Sequence, residues 1–175
     1  MLLEILKYPD PFLKTRAEKV EKIDDGIKAL VTDMVETMYH AKGIGLAATQ
    51  VGVGKRISVL DVPTDEERRE RGKHLLVLIN PEIILSEGSV VYEEGCLSIP
   101  GFTADVTRAS KLVVRTLDIE GTERTITAEG LFAIAVQHEI DHLDGLLFID
   151  RLSRLKREMM KRKIRKSLEA EDRAL

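Results

Sequence analysis

The segment Gln137-His138-Glu139-Ile140-Asp141-His142 lies inside an apolar run from Leu131 to Leu143 and constrains the fold more than any other stretch. At about 100° per residue, helical positions four apart differ by only about 40° around the axis, so His138 and His142 leave one face together. Two imidazoles placed this way form a metal clamp, with Glu139 in reach of a water on that metal. The run is apolar almost all round, which predicts a buried helix that begins after Gly130 and stops at Asp144-Gly145. A packed helix holds ligands more firmly than a loop does, and its apolar wall excludes water. The plain alternative is an ordinary helix end with two solvated histidines.

A catalytic metal commonly takes three protein ligands and keeps one position for water. The lone cysteine, Cys96, lies in Glu94-Gly95-Cys96-Leu97-Ser98, where Gly95 permits an unusual backbone. A thiolate there suits zinc or ferrous iron, whereas an inert buried cysteine is the competing reading. One cysteine also excludes an internal disulfide, in keeping with a reducing compartment. The stretch Gly43-Ile44-Gly45-Leu46-Ala47-Ala48 superficially matches a dinucleotide-binding pattern, but a helix precedes it where a strand is required. Such glycines better serve close backbone approach to an extended ligand.

The rest of the chain reads as strands first and the metal helix after, which predicts an α+β fold. Asp24 or Asp25 can cap a helix running to about Ala41, with Ile27, Leu30, Val31, Met34, Val35 and Met38 at helical spacing and Gly43 as terminator. Strands are expected at residues 56–60, 75–79, 89–92, 111–117 and 123–127, with Asp118-Ile119-Glu120-Gly121 as the turn between the last two. Tyr8-Pro9-Asp10-Pro11 is turn chemistry, and the charged residues 62–74 are expected to form a mobile exposed loop. His40 and His74 fall outside all motifs and read as ordinary surface or loop residues.

With 175 residues, 43% apolar and 33% charged, the chain is most simply one soluble domain. No stretch approaches the roughly 20 apolar residues that span a bilayer. The start, Met1 to Lys7, is interrupted by Glu4 and lacks a secretory core, so a cytoplasmic location is expected. A third helix is expected at about Arg154–Leu168. Residues 151–175 carry ten Lys/Arg and four Asp/Glu, net +6, which leaves −9 of the overall −3 on residues 1–150. We therefore expect a body over 1–150 and a basic helical appendage over 151–175. A basic tail on an acidic body suggests contact with a polyanion, although a solvated helix has the same composition.

Taken together and in this order, the three segments at 43–50, 94–98 and 137–142 resemble the signature motifs of the peptide deformylase family. Tyr8-Pro9-Asp10 followed by Leu13 resembles that family's N-terminus, so the resemblance runs from about residue 2 to 168. It implies antiparallel sheets surrounding a central metal helix. It also implies hydrolysis of the formyl group from formyl-methionine at the start of nascent proteins. The metal ligands would be Cys96, His138 and His142. The metal would be ferrous iron, replaceable by zinc, nickel or cobalt. Glu139 would be the general acid/base, and the Gln50 side-chain amide and the Leu97 N–H would form the oxyanion hole. Gly45 would meet the substrate backbone, while Ile44, Leu131, Ile134 and His138 would line the methionine pocket, flanked by Tyr92 and Ala135. The C-terminal helix resembles that of the bacterial form, which implies docking on the ribosome near the nascent-chain exit. Neither a membrane nor DNA is implied. Two rivals remain: a zinc protease cutting internal bonds, since His-Glu-x-x-His also marks those enzymes, and a ribosome-bound module with a structural metal only.

Overall fold

The structure, a computed structural model, describes residues 1–63, 72 and 74–174. The first helix, α1 (Asp25–His40), is started by Asp24, whose side chain accepts the Ile27 N–H at 3.0 Å. A cap of this kind is worth about 1 kcal/mol. The helix is closed by Lys42, not Gly43. Lys42 takes φ 60, its N–H reaches the Tyr39 carbonyl, and the Gly43 N–H reaches that of Met38, which is a left-handed C-terminal closure. Gly43 is required for a different reason: a Cβ there would lie 2.7 Å from Leu97 Cδ1.

Among the described residues, seven strands follow in two antiparallel sheets. Strands β1 (Gly45–Ala47), β2 (Ile57–Asp61), β3 (Leu75–Glu87), β6 (Lys111–Leu117) and β7 (Glu123–Glu129) form one sheet in the order β1-β2-β3-β6-β7, while β4 (Val90–Cys96) pairs with β5 (Ile99–Arg108). The expected strand at 75–79 runs on past Pro81, because register shifts after Ile79 and after Ile83 absorb the proline and the left-handed Asn80. The expected strands at 89–92 and 123–127 also extend, to Cys96 and to Glu129. The turn at 118–121 forms as expected, with Asp118 Oδ1 accepting the Glu120 and Thr122 N–H groups. Strands β1 and β5 have no counterpart among the expected strands: β1 is only three residues long, and in β5 Pro100-Gly101 and the polar residues that follow break the apolar alternation. The expected loop at 62–74 lies almost wholly outside the described residues.

Strand β2 is buried at all five positions. Its alternate side chains serve two cores: Ile57 and Val59 pack with Val31, Met34 and Met38 of α1, and Leu60 packs against Val136 and Ile140 of the metal helix, α2 (Gly130–Leu143). Each such side chain, fully buried, contributes about 1.5–3 kcal/mol. The helix α2 is thereby fixed on the sheet, with β4–β5 on its other side; this is the α+β arrangement of sheets around a helix. The last helix, α3 (Arg154–Ala174), is six residues longer than expected. It rests on a third core through Ile164, Met160 and Leu168, against Ile99, Val106 and Phe148. Among the described residues, no helix is long and apolar enough to cross a membrane. His40 and His74 are both exposed.

Candidate active site

The site lies where the start of β1, the end of β4 and the exposed flank of α2 meet. On β4, residues two apart face the same way, so Glu94 and Cys96 both turn toward α2. On α2, His138, Asp141 and His142 share a face by their spacing of three and four. The result is a three-donor cluster in which Cys96 Sγ lies 3.4 Å from His142 Nε2, and His142 Nε2 lies 3.1 Å from His138 Nε2. All three donors are within 4.8 Å of one another.

These separations fit a metal. Bond lengths of about 2.0–2.1 Å to nitrogen and 2.3 Å to sulfur give tetrahedral edges of about 3.4 Å (N to N) and 3.6 Å (N to S). His138 Nδ1 faces Glu94 Oε1 at 3.0 Å, so Nδ1–H donates to the carboxylate and Nε2 is left with its lone pair free for a metal. Two imidazole nitrogens 3.1 Å apart are held comfortably only with a cation or a proton between them. Burial alone would lower the basicity of His138, but its contacts to Cys96 and Glu94 hold its pKa well above the ordinary value. Burial and the neighbouring His138 charge push His142 well below it. A sulfur with two imidazoles is a donor set suited to zinc or ferrous iron.

A cavity of about 420 Å³ opens over these donors. Ile44, Gly45, Gln50, Cys96, Leu97, Leu131, Ile134, His138 and Glu139 line it, together with Tyr92 and Ala135. Of the residues singled out in the sequence, His142 alone stands behind the wall, fully covered at 1% exposure. Gln50 is oriented without ambiguity. The Ala47 N–H donates to its Oε1 at 3.0 Å, which turns Nε2 toward Ser98 Oγ (3.1 Å) and Cys96 Sγ (3.6 Å). Glu139 packs edge-on against Gly45, where a Cβ would meet Oε1 at 2.7 Å. Its other oxygen is buried with no hydrogen-bond partner among the described residues, and burial raises its pKa from 4.5 to about 7. A carboxyl poised near neutrality is suited to moving protons in both directions.

Sequence reasoning missed the support behind this cluster. Arg108 ends β5 at an inward position and grips Glu94 with two bonds of 2.7 and 2.8 Å, then reaches Asp141 at 2.6 Å. Arg108 and His138 outweigh the cost of burial and hold the Glu94 carboxyl below its ordinary range. One signal could have found it: Asp141 falls on an almost wholly apolar helix, and a buried carboxylate demands a cationic partner.

A carboxylate and two histidines on one packed helix, joined by a cysteine at the end of β4 and opening onto a cleft between two strands, define a metal-dependent hydrolase. The polypeptide deformylase family model matches residues 2–158. A peptide deformylase of Xylella fastidiosa (strain M12) is 55% identical over 168 residues, covering 94% of this chain and 95% of that protein. A crystal structure of a peptide deformylase from Legionella pneumophila has a TM-score of 0.88 at 46% identity, covering 99% of each chain. That of peptide deformylase from Ehrlichia chaffeensis in complex with actinonin has a TM-score of 0.86 at 43% identity, covering 95% of this chain and 97% of that one. The chain belongs to the polypeptide deformylase family.

Proposed function

We propose that the protein removes the formyl group from the N-terminal formyl-methionine of nascent chains and releases formate. The observation that carries this reading is the convergence of three separated segments, 43–50, 94–98 and 137–142, on one cavity lined by Cys96, His138 and Glu139, with His142 completing the donor trio just behind its wall. Cys96, His138 and His142 would hold the metal, ferrous iron in the cell, with zinc, nickel or cobalt as substitutes. The metal supplies Lewis acidity, lowering the pKa of coordinated water from about 15.7 toward neutrality.

The remaining work falls to the chain itself. Glu139 accepts the proton of the attacking water and returns it to the departing amine. Gln50 Nε2 and the Leu97 N–H donate to the oxyanion, an interaction whose loss typically costs about 10²–10³ in rate. Ile44, Leu131 and Ile134, with the edge of His138, receive the methionine side chain. The substrate backbone extends between β1 and β4, meeting Gly45. Tyr92 and Ala135 set the outer shape of the pocket.

Residues 1–150 form the catalytic body in this reading, and 151–175 a basic appendage. Lys156, Arg162, Lys163, Arg165 and Lys166 are exposed on α3, with Arg157 and Lys161 half-buried. These cations suit rRNA phosphates, and we place the protein in the cytoplasm, at the ribosome surface near the nascent-chain exit. The test is formate release from formyl-Met-Ala-Ser by iron-loaded protein kept free of oxygen, beside the unformylated peptide. Formate from the first alone is expected; cleavage of internal bonds in either peptide would contradict the reading.

A further inference from the structure

Behind the donor trio a line of four charged side chains leads from His138 to the surface. Glu94 Oε1 meets His138 Nδ1 at 3.0 Å, Arg108 holds both oxygens of Glu94, and Arg108 Nη1 meets Asp141 Oδ2 at 2.6 Å. Asp141 is then gripped by Arg151, through Nε to Oδ2 at 3.0 Å and Nη2 to Oδ1 at 2.6 Å. The first three side chains are at most 7% exposed, whereas Arg151 is 46% exposed. Arg151 ends the 3₁₀ turn Phe148–Arg151, just before α3. The other end of that turn also faces the site, because the Phe148 ring lies 6.4 Å from the His138 ring and 21° from parallel to it.

The charges decide what Arg151 does. Glu94, Arg108 and Asp141 by themselves sum to one net negative charge in a buried place. Arg151 brings the group to neutrality. Without it, Arg108 is the sole cation between two buried carboxylates. Asp141 then competes with Glu94 for the guanidinium, and Glu94 loses the fixed position from which it orients His138. Outer partners that hold a ligand in place typically change metal affinity by about 10–100-fold.

We propose that Arg151 is a positioning residue for the metal centre, acting through Asp141, Arg108 and Glu94 on the orientation of His138. The proposal rests on the metal-site reading above, and cobalt provides a test that separates the two. Full-length wild type, R151M, R151K and R154M are titrated with Co²⁺ against a chelator, and their visible spectra and kinetics on formyl-Met-Ala-Ser are recorded. R151M is expected to bind Co²⁺ about tenfold more weakly, with a shifted ligand-field band and lower kcat at saturating metal. Its KM should stay within about twofold, since Arg151 is remote from the cavity. R151K, which offers one ammonium in place of a fork, should recover part of the affinity. R154M, which removes a neighbouring exposed cation, should match wild type. Wild-type affinity and spectrum in R151M, or an equal loss in R154M, would overturn the proposal. If R151M does not fold, R151K decides: a two- to fourfold loss with a band shift supports the proposal, and wild-type values overturn it. Failure of wild type itself to bind Co²⁺ would mark a failure of the metal-site reading instead.

Discussion

Replacing Glu139 by Gln should remove turnover and at the same time stabilise the metal-free protein. Glu139 is 4% exposed, and burial lifts its carboxyl from 4.5 to about 7. The folded chain therefore keeps its proton over a range where the unfolded chain has released it. As pH rises from 4.5 through 7, the unfolded state gains by ionising and folding stability falls. Above 7 both states are ionised and the loss levels off, at an order of magnitude of about 3 kcal/mol. Gln has similar shape and does not titrate. In chelator-treated protein, urea unfolding should show the Gln variant more stable than wild type by about that amount at about pH 8, with the gap closing toward about pH 4.5. Nearby His and Glu groups titrate in both proteins, so the difference curve isolates position 139. With metal restored, the variant should bind it as wild type does and lose about 10²–10⁴ in kcat. Parallel stability curves would refute the buried-carboxyl argument, and an active variant would eliminate the proton-shuttle role.

Three further outcomes follow from the same geometry. Cys96→Ala should lose metal affinity while the fold persists; stoichiometric metal by elemental analysis would put the third ligand elsewhere. Gly45→Ala places a methyl group 2.7 Å from Glu139 Oε1 and should lower kcat by at least about tenfold at unchanged metal content; a wild-type kcat would mean that the carboxylate can give way. Reversing Lys163 and Arg165 to Glu should weaken ribosome binding and flatten its salt dependence, by about one in log–log slope for each phosphate that is no longer neutralised, with formyl-Met-Ala-Ser turnover unchanged; equal binding across salt would remove α3 from the interface.

The parts of this site that the sequence announces are those governed by short-range periodicity. His138 and His142 are four apart on a helix, so their shared face follows from the helical repeat. The metal helix, α1 and five of the seven described strands could be read the same way, three of those strands with their ends cut short. Side chains brought together by long-range pairing could not. Cys96 joins the histidines only because β4 runs alongside α2, and without the family resemblance an inert cysteine is an equal reading. Arg108 reaches Glu94 because β5 pairs with β4 across a turn that Pro100-Gly101 obscures. The helix ending at Lys42 shows a local rule giving way: a lysine takes the left-handed position because close packing against Leu97 requires glycine at the next residue.

X-ray absorption on zinc-loaded protein tests most directly whether Cys96, His138 and His142 gather one cation that keeps an open position for a reactant. One sulfur at about 2.3 Å, two imidazole nitrogens at about 2.0–2.1 Å and one exchangeable light-atom ligand are predicted. A coordination shell without sulfur, or one closed by a fourth protein ligand, would contradict the account.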